Sequence, residues 1–497
     1  MMGDKPQLSS ELLDQLPYSF LKKHYLLPWE EHEDHVVIAH TKETSLMAKD
    51  EVQLLIKKPV VFILKDESSI LHRLQKIYSD LDGKASDMLL AMPAEAGAPP
   101  EEEDLLENTD AVPVVRFLNL ILKEAIEERA SDIHFEPLED TLRIRYRIDG
   151  VLHDRLSPPA HLRSSLIMRI KVLAKMDIAE HRLPQDGRIK IQIGGQEIDM
   201  RVSTVPVIYG ERVVLRILDK RNVILDISGL QMPESLEDSF KQVISAPEGM
   251  FLVTGPTGSG KTTTLYSVIQ HLSGPFTNIM TIEDPPEYKL AKIAQIAVKP
   301  KIGLSFACGL RHLLRQDPDV LMVGEIRDQE TAGIATQAAL TGHLVISTLH
   351  TNDAISAIPR LLDMGVESYL LSATLVGVIA QRLVRKICHH CREQYDADEQ
   401  ERMFLQTMGK DAQTILYRGR GCSQCFHSGY KGRRGIYELL RPDAVLCSEI
   451  AKNSPYHILK TCAEAQGFCS LLEHGLSLVL AGETTLTEVL RVTKRYD

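Results

Sequence analysis

Gly255-Pro256-Thr257-Gly258-Ser259-Gly260-Lys261-Thr262 has the composition of a loop that holds phosphate. Glycines let successive backbone N–H groups converge on phosphate oxygens without Cβ clashes. The apolar run Phe251-Leu252-Val253 ahead of it predicts a strand, and Thr263 through Ile269 predict a helix. The N-terminus of that helix adds a positive dipole at the same place. In such a strand–loop–helix unit Lys261 reaches the β- and γ-phosphates of a nucleotide, and Thr262 offers its hydroxyl to Mg²⁺. Thr263 completes the nucleotide-binding stretch.

The remaining chemistry of such a site falls to polar groups at strand ends. Val320-Leu321-Met322-Val323 predicts a buried strand that ends at Gly324-Glu325. Ligands of open α/β sheets bind at the C-terminal ends of strands. Glu325 is therefore a candidate Mg²⁺-side or water-positioning carboxylate. Gly324 stands where many such nucleoside triphosphatases carry Asp. Glu283 and Asp284 follow another short apolar run, Asn278-Ile279-Met280, and suit proton acceptance near metal-bound water. His343 and His350 bracket a strand-like segment and are candidate sensors of the γ-phosphate. Each residue also has an ordinary reading: a strand-end surface Glu, a Glu-Asp-Pro turn, a structural His.

Cys388-x-x-Cys391 is followed, after thirty intervening residues, by Cys422-x-x-Cys425. Four thiolates close a tetrahedral structural Zn²⁺ site. The separation exceeds the usual spacing of about fifteen to twenty residues, which predicts a loop or helix over Asp396 to Met408. Two redox dithiols are the alternative, and His389 and His390 are competing ligands. Basic surroundings, Gly-rich at the second pair, favour zinc. Cys308, Cys447, Cys462 and Cys469 are scattered and are expected to be buried small apolar residues.

The elements that must position these groups follow from patterning. The 497 residues correspond to roughly three domains, and 44% hydrophobic with 25% charged residues is globular. Residues 1–85 predict a small α/β module. Ser9 or Ser10 caps a helix through Leu12, Leu13 and Leu16, strands run over 35–39 and 60–64, and a helix carries Ile70, Leu71, Leu74 and Ile77. Residues 86–110, rich in Ala, Pro and acid, read as a flexible linker. Residues 111–225 predict an α+β domain. A helix capped by Asp110 has Pro113 near its first turn. Arg143, Arg145 and Arg147 alternate with Leu142, Ile144, Tyr146 and Ile148, which predicts a strand with a solvated basic face. Hairpins turn at Asp149-Gly150 and Gly194-Gly195. From 226 onward strand, loop and helix repeat, as in a nucleotide-binding α/β core, here over 226–385, with a tetracysteine element over 386–430 and a helical part over 431–497.

No apolar run reaches the ~18 residues of a membrane span, and the N-terminus lacks the apolar segment of a secretory signal. These features place the expected location in the cytoplasm, or at a membrane through something else. The net charge of −11 argues against broad nucleic-acid binding, which needs a positive field.

Taken together, the four segments resemble the Walker A, Asp-box, Walker B and His-box motifs of the secretion and pilus ATPases, the type II/type IV secretion superfamily. ASDIHFEP (130–137), RLPQDGRI (182–189), DMRVSTVP (199–206) and LRQDPDVLMVGEIRDQETA (314–332) resemble that family closely over residues 110–497. Pro286 stands where the family has an aliphatic residue. The resemblance implies an α/β fold: a RecA-like P-loop ATPase core, a preceding α+β domain, the small N-terminal module and the tetracysteine zinc-binding element. It implies a homo-hexamer. It makes Arg188 and Arg201 candidate arginine fingers that reach the nucleotide across a domain or subunit boundary, and Arg311 and Arg315 candidates to reach a neighbour's site.

Within the superfamily the chain looks most like the ATPases of type II secretion. That implies ATP hydrolysis coupled to pseudopilus assembly and protein export. The implied partners are a polytopic inner-membrane platform protein and, through residues 1–85, the cytoplasmic domain of another platform protein. This would make the chain a peripheral inner-membrane protein. The alternatives are type IV pilus assembly, a nucleic-acid translocase, which the acidity disfavours, and a nucleotide-dependent scaffold.

Overall fold

The computed structural model describes residues 12, 16, 18–74 (apart from 33, 57, 68, 71 and 72), 113–193, 196–218, 226–411 and 415–493. The expected Ser9/Ser10 cap, Ile77, the linker 86–110, Asp110 and the turn at Gly194-Gly195 lie outside the described residues. The chain divides into two compact units, Met1–Asp219 and Lys220–Asp497.

In the first unit, α1 (Tyr18–His24) leads into a three-stranded sheet of order β1 (Leu26–Glu31), β2 (Val36–His40) and β3 (Val60–Leu64). β1 and β2 are antiparallel, β2 and β3 parallel. α2 (Leu46–Leu55) makes the crossover, and its N-cap Ser45 accepts the N–H of Ala48. Three of these elements, α1, β1 and α2, are absent from the sequence-based reading. β1 contains Pro28 and a register shift beside it, so its apolar run is short. α2 buries Ala48 and Val52 while Leu46, Met47 and Leu54 are exposed, so its apolar residues do not trace one face.

Further along this unit, α3 (Pro113–Glu127) and α4 (Arg163–Leu173) belong to the hydrophobic core of a six-stranded antiparallel sheet of order β6-β5-β4-β9-β8-β7. The strands are β4 (Asp132–Pro137), β5 (Leu142–Ile148), β6 (Val151–Leu156), β7 (Gln185–Ile193), β8 (Gln196–Val207) and β9 (Gly210–Leu218). Asp149 and Gly150, both at positive φ, make the tight hairpin between β5 and β6. Leu142, Ile144 and Tyr146 are buried as the alternation requires. The opposite face is not simply solvated. Glu136 on β4 is buried and binds Arg145 and Arg212 at 2.6 Å and Arg143 at 2.9 Å. Asp132, also buried, pairs with Arg147 and Arg216. The arginines of β5 thus neutralise two carboxylates that burial would otherwise make costly.

The second unit is built on a seven-stranded sheet of order β12-β11-β13-β14-β10-β15-β18. Its strands are β10 (Gly249–Thr254), β11 (Ile279–Glu283), β12 (Ala294–Ala297), β13 (Val320–Val323), β14 (Leu344–Leu349), β15 (Leu375–Ile387) and β18 (Tyr430–Leu440). All pair parallel except β18, which runs antiparallel to β15. Strands of this sheet are nearly continuously apolar because both faces are covered. Phe251 and Val253 enter one core, Met250 and Leu252 another. The packed helices include α5 (Glu234–Ile244), α6 (Lys261–Leu272), α7 (Phe306–Leu313), α8 (Gln329–Leu340), α9 (Ala357–Asp363) and α10 (Ser368–Thr374). Between β15 and β18 lie the hairpin β16 (Arg392–Asp396) and β17 (Ile415–Gly419) and, between these two strands, α11 (Glu399–Thr407). Four helices follow: α12 (Ala444–Ala451), α13 (Tyr456–Ala465), α14 (Leu471–Leu480) and α15 (Leu486–Thr493). Residues 430–440, placed largely in a helical part by sequence, are instead the edge strand of the central sheet. Their alternating charges (YKGRRGIYELL) mask a strand that is solvated at one end.

Glu488 on α15 is 1% exposed and accepts hydrogen bonds from the side chains of Arg385 and Arg491 and from the backbone N–H of Arg385. Burial pushes its carboxyl up, but the bonds from Arg491 and Arg385 outweigh burial and hold it at about 2. A depressed carboxylate stabilises the fold above its unfolded value, near 4.5, and that contribution disappears as pH falls toward 2. Glu488→Gln is expected to cost ~3 kcal/mol at pH 7. In chemical denaturation the gap between wild type and variant should close between pH 4.5 and 2. A gap that stays constant over this range would contradict the assignment.

Candidate nucleotide and metal sites

β10 is an interior strand of its sheet, between β14 and β15, and the loop 255–260 leaves its C-terminal end. Two glycines are dictated by the neighbouring strand β15. At Gly255 (φ +149°) a Cβ would lie 2.6 Å from the carbonyl of Gln381, and at Gly260 (φ +92°) a Cβ would lie 2.6 Å from the Gln381 side-chain amide. The loop therefore packs backbone against β15. α6 begins at Lys261 with no side-chain cap, leaving first-turn N–H groups for an anion. Ser259 Oγ is buried with no hydrogen-bond partner among the described residues. Lys261 donates to the carbonyls of Gly255 (2.6 Å) and Pro256 (3.1 Å). Burial pulls its ammonium down to about 8; Glu325 acts the other way and Arg382 adds to the fall. Thr262 is exposed in the first turn of α6. Uncapped amides, an orphan hydroxyl and a desolvated lysine fit a bound polyphosphate.

Glu325 follows β13, with its carboxylate 3.3 Å from His350 Nε2 and 2.5 Å from Arg327. His350 follows β14, so the parallel register brings Lys261, Glu325 and His350 to one edge of the sheet. Gly324 is explained locally: a Cβ there would meet the Ile282 carbonyl at 3.3 Å and Glu283 Cα at 3.4 Å, so an Asp would crowd β11. Glu283 ends β11 at 5% exposure. It accepts from the hydroxyls of Tyr266 and Thr281 and from the Gln295 amide. Burial, then Glu283, pushes the Tyr266 hydroxyl's pKa up. In this geometry Glu283 is well hydrogen-bonded inside the protein, between α6 and β12.

His343 is not brought to this edge. It precedes β14, whose first residue pairs with Gly249 and whose last pairs with Thr254. Six residues at ~3.3 Å each put His343 about 20 Å from the loop along the sheet. There its ring meets the Ala338 carbonyl at 3.0 Å and the Thr341 hydroxyl at 3.3 Å, the contacts of a structural histidine. Arg311 pairs with Glu330 across α7 and α8. Arg315 lies in the turn before β13, at the edge where strands begin. In the other unit Arg188 and Arg201 are directly paired residues of β7 and β8, and Arg201 is in turn opposite Arg216 of β9. All three project from the face opposite the core, and Arg188 is exposed.

Sequence reasoning overlooked three residues here. Arg327 grips Glu325. Gln381, 2% exposed, accepts the Thr264 hydroxyl at 2.6 Å. Arg382, 7% exposed, donates to the Gln381 and Asn352 carbonyls. The signal for the last two is a polar pair interrupting the apolar run 375–380.

The four cysteines of the two CxxC pairs converge, with every sulfur within 4.8 Å of the others. Cys388–Cys422, Cys391–Cys425 and Cys422–Cys425 are 3.9, 3.8 and 3.7 Å apart. A tetrahedral ion with Zn–S of ~2.3 Å requires sulfur separations of ~3.8 Å, so the cluster fits zinc. The fit favours metal over a redox pair, whose sulfurs would approach bonding distance. Burial pushes the Cys391 thiol up to about 12, a cost that a bound dication removes. His389 and His390 are exposed and stand outside the cluster. The other cysteines correct the expectation of burial: Cys308, Cys447 and Cys462 are half-buried and Cys469 is exposed.

Among the described residues no helix is long and apolar enough to cross a membrane. Residues 107–491 match the family model described as type II/IV secretion system protein, and residues 4–84 match an MshEN domain. The chain is 46% identical to the type II secretion system ATPase E of Vibrio cholerae, covering 97% of each chain. It is 47% identical to the type II secretion system protein E of Pseudomonas aeruginosa, covering 97% of this chain and 96% of that one. Among solved structures, the ADP-bound pilus retraction motor PilT superposes with a TM-score of 0.50 at 28% identity, covering 76% of this chain and 96% of that chain. The Legionella pneumophila ATPase DotB superposes with a TM-score of 0.56 at 21% identity over 80% and 97% of the two chains, a likeness of fold. The match across most of the length, the RecA-like sheet and the phosphate-binding loop together establish that this chain belongs to the type II/IV secretion system protein family and is a P-loop ATPase.

Proposed function

We propose that the chain is the hexameric motor of a type II secretion machine, coupling ATP hydrolysis to pseudopilus assembly and protein export. The observation that carries this is the near full-length likeness to relatives named type II secretion system protein E, joined to a tetracysteine cluster at metal-binding distances. In this reading residues 255–263 bind ATP, and Lys261 neutralises its β- and γ-phosphates. Glu325 and Glu283 are the catalytic carboxylates. Glu325, held by Arg327 and His350, orients the attacking water, and His350 reads the γ-phosphate. Mg²⁺, held by Thr262 and Glu325, would supply charge neutralisation on the phosphates. Zn²⁺, held by Cys388, Cys391, Cys422 and Cys425, would lock the insertion between β15 and β18. Arg188 and Arg201 supply positive charge to the transferring phosphoryl group across a domain or subunit boundary, and Arg311 and Arg315 face a neighbour. Residues 1–85 dock on the cytoplasmic domain of an inner-membrane platform protein, holding the ATPase against a second, polytopic platform protein.

Loss of ATP turnover in Lys261→Ala tests the assignment of the loop. Its lysine also predicts a pH dependence. The ammonium must be present to bind phosphate, and it titrates at about 8 in the free protein. ATP affinity should therefore fall above pH ~8, by up to ~tenfold per unit. Lys261→Ala should bind weakly with no such slope; an identical slope in that variant would place the titration elsewhere.

Purified reduced protein should contain about one zinc per chain. Cys388→Ser or Cys422→Ser should lose it while nucleotide binding persists, and metal analysis of fresh protein that finds none would refute the site.

Arg188→Ala or Arg201→Ala should spare ATP binding and lower turnover by ~10³-fold or more, as arginine fingers do. If the finger acts between subunits, mixing Arg201→Ala with Lys261→Ala chains should restore part of the activity. If it acts within one chain, mixing should restore none. Full activity in both single arginine variants would sink the finger assignment.

A further inference from the structure

Arg382 is a cation beside the nucleotide loop with no role in the scheme above. β15 runs parallel to β10 with Ala380 opposite Thr254, so the next two residues of β15 lie alongside the loop that follows β10. The guanidinium of Arg382 lies against Gly255, with one nitrogen 3.1 Å from where a Cβ at that glycine would sit. It donates to the Gln381 carbonyl at 3.0 Å and to the Asn352 carbonyl at 2.6 Å. A buried charge is costly unless its bonds are specific; one of these goes to the preceding residue of its own strand and the other crosses to the segment after β14.

Asn352 lies two residues beyond His350. The segment 350–356 that carries both is held at two more points. Thr351 bonds the Thr254 hydroxyl at 2.6 Å. Ala354 donates its N–H to Glu438 at 2.6 Å. Glu438 lies opposite Ala380 in the antiparallel pair of β15 and β18, is 4% exposed, and also accepts the N–H of Leu471 at the start of α14. Arg382 and Glu438, two rungs apart on one strand pair, thus hold the segment on which His350 meets Glu325.

We propose that Arg382 is a positioning residue for hydrolysis, packed against Gly255 of the phosphate-binding loop and tying the Asn352 carbonyl to β15 so that His350 and Glu325 face the phosphate held by Lys261. This rests on the reading of Lys261, Glu325 and His350 as the reaction centre. Lysine would keep the charge but lacks the planar fork that reaches two carbonyls at once. The defect should therefore appear in the chemical step, since ATP is held by the loop itself.

The test is a cycle in the full chain: wild type, Arg382→Lys, His350→Ala and the double variant. kcat and ATP affinity are measured for each, with zinc content and melting temperature as checks on folding. Arg382→Lys is expected to lower kcat about tenfold or more while ATP affinity stays within about twofold. In the His350→Ala background the same substitution should cost less than about twofold, because the two residues act as one unit. Glu438→Gln, which disturbs the other end of the same segment, should give the same pattern and decides the matter if Arg382→Lys does not fold. Wild-type kcat in Arg382→Lys overturns the proposal. So does a parallel fall in ATP affinity, which would make Arg382 a phosphate-binding group, and so does full additivity with His350→Ala. If His350→Ala itself turns over normally, His350 leaves the reaction centre and the proposal falls with it, while the Lys261→Ala result still decides whether the loop is the ATP site.

Discussion

The contact between the loop 255–260 and strand β15 is the constraint around which the ATPase unit is arranged. A Cβ at Gly255 or Gly260 would collide with Gln381, so the loop carries no side chain at these two positions, and the helix that follows starts without a side-chain cap, leaving first-turn amides for a ligand. Arg382 of β15 adds to the burial that lowers the proton affinity of Lys261. The contact also sets the order of the sheet. β10 must have β15 on one side to shape the loop and β14 on the other to deliver His350 beside Glu325. The parallel crossovers that produce this order explain why residues more than a hundred positions apart in sequence share one strand edge.

The chemistry-bearing motifs were legible because local and global requirements agree. A buried apolar strand, a glycine loop and a helix start are each visible in a few residues, and their sequence is the site. The tetracysteine cluster was legible for a similar reason, since paired soft ligands at short spacing leave little else for four thiols to do. What failed to show depends on distance. His343 and His350 look alike on either side of one strand, and nothing local says which end lies at the edge of the phosphate-binding loop. The parallel direction of β14 decides it.

Elements with mixed surroundings were also hidden. β18 begins among charges and ends in the core, so its alternation fades midway. α2 of the N-terminal module leaves Leu46, Met47 and Leu54 exposed, so its apolar residues do not mark a buried face. Arg143, Arg145 and Arg147 alternate as a wet surface would. Their partners, Glu136 and Asp132, sit on an adjacent strand and look unremarkable in sequence. Charge balance of this kind needs the cross-strand register, which composition does not carry.

The hairpin of β15 and β18 has a mechanical consequence. One end is fixed at Ala380, beside β10; the other ends at Ile387, opposite Tyr430, where Cys388 opens the metal cluster. The seven residue steps between span ~23 Å at 3.3 Å each. Between these ends Arg385 is tied to Glu488 of α15, and Ile387 donates its N–H to the Glu483 carbonyl. The strand pair is thus braced along its length as well as at both ends, and the metal cluster is held at a set distance from the edge where the loop lies.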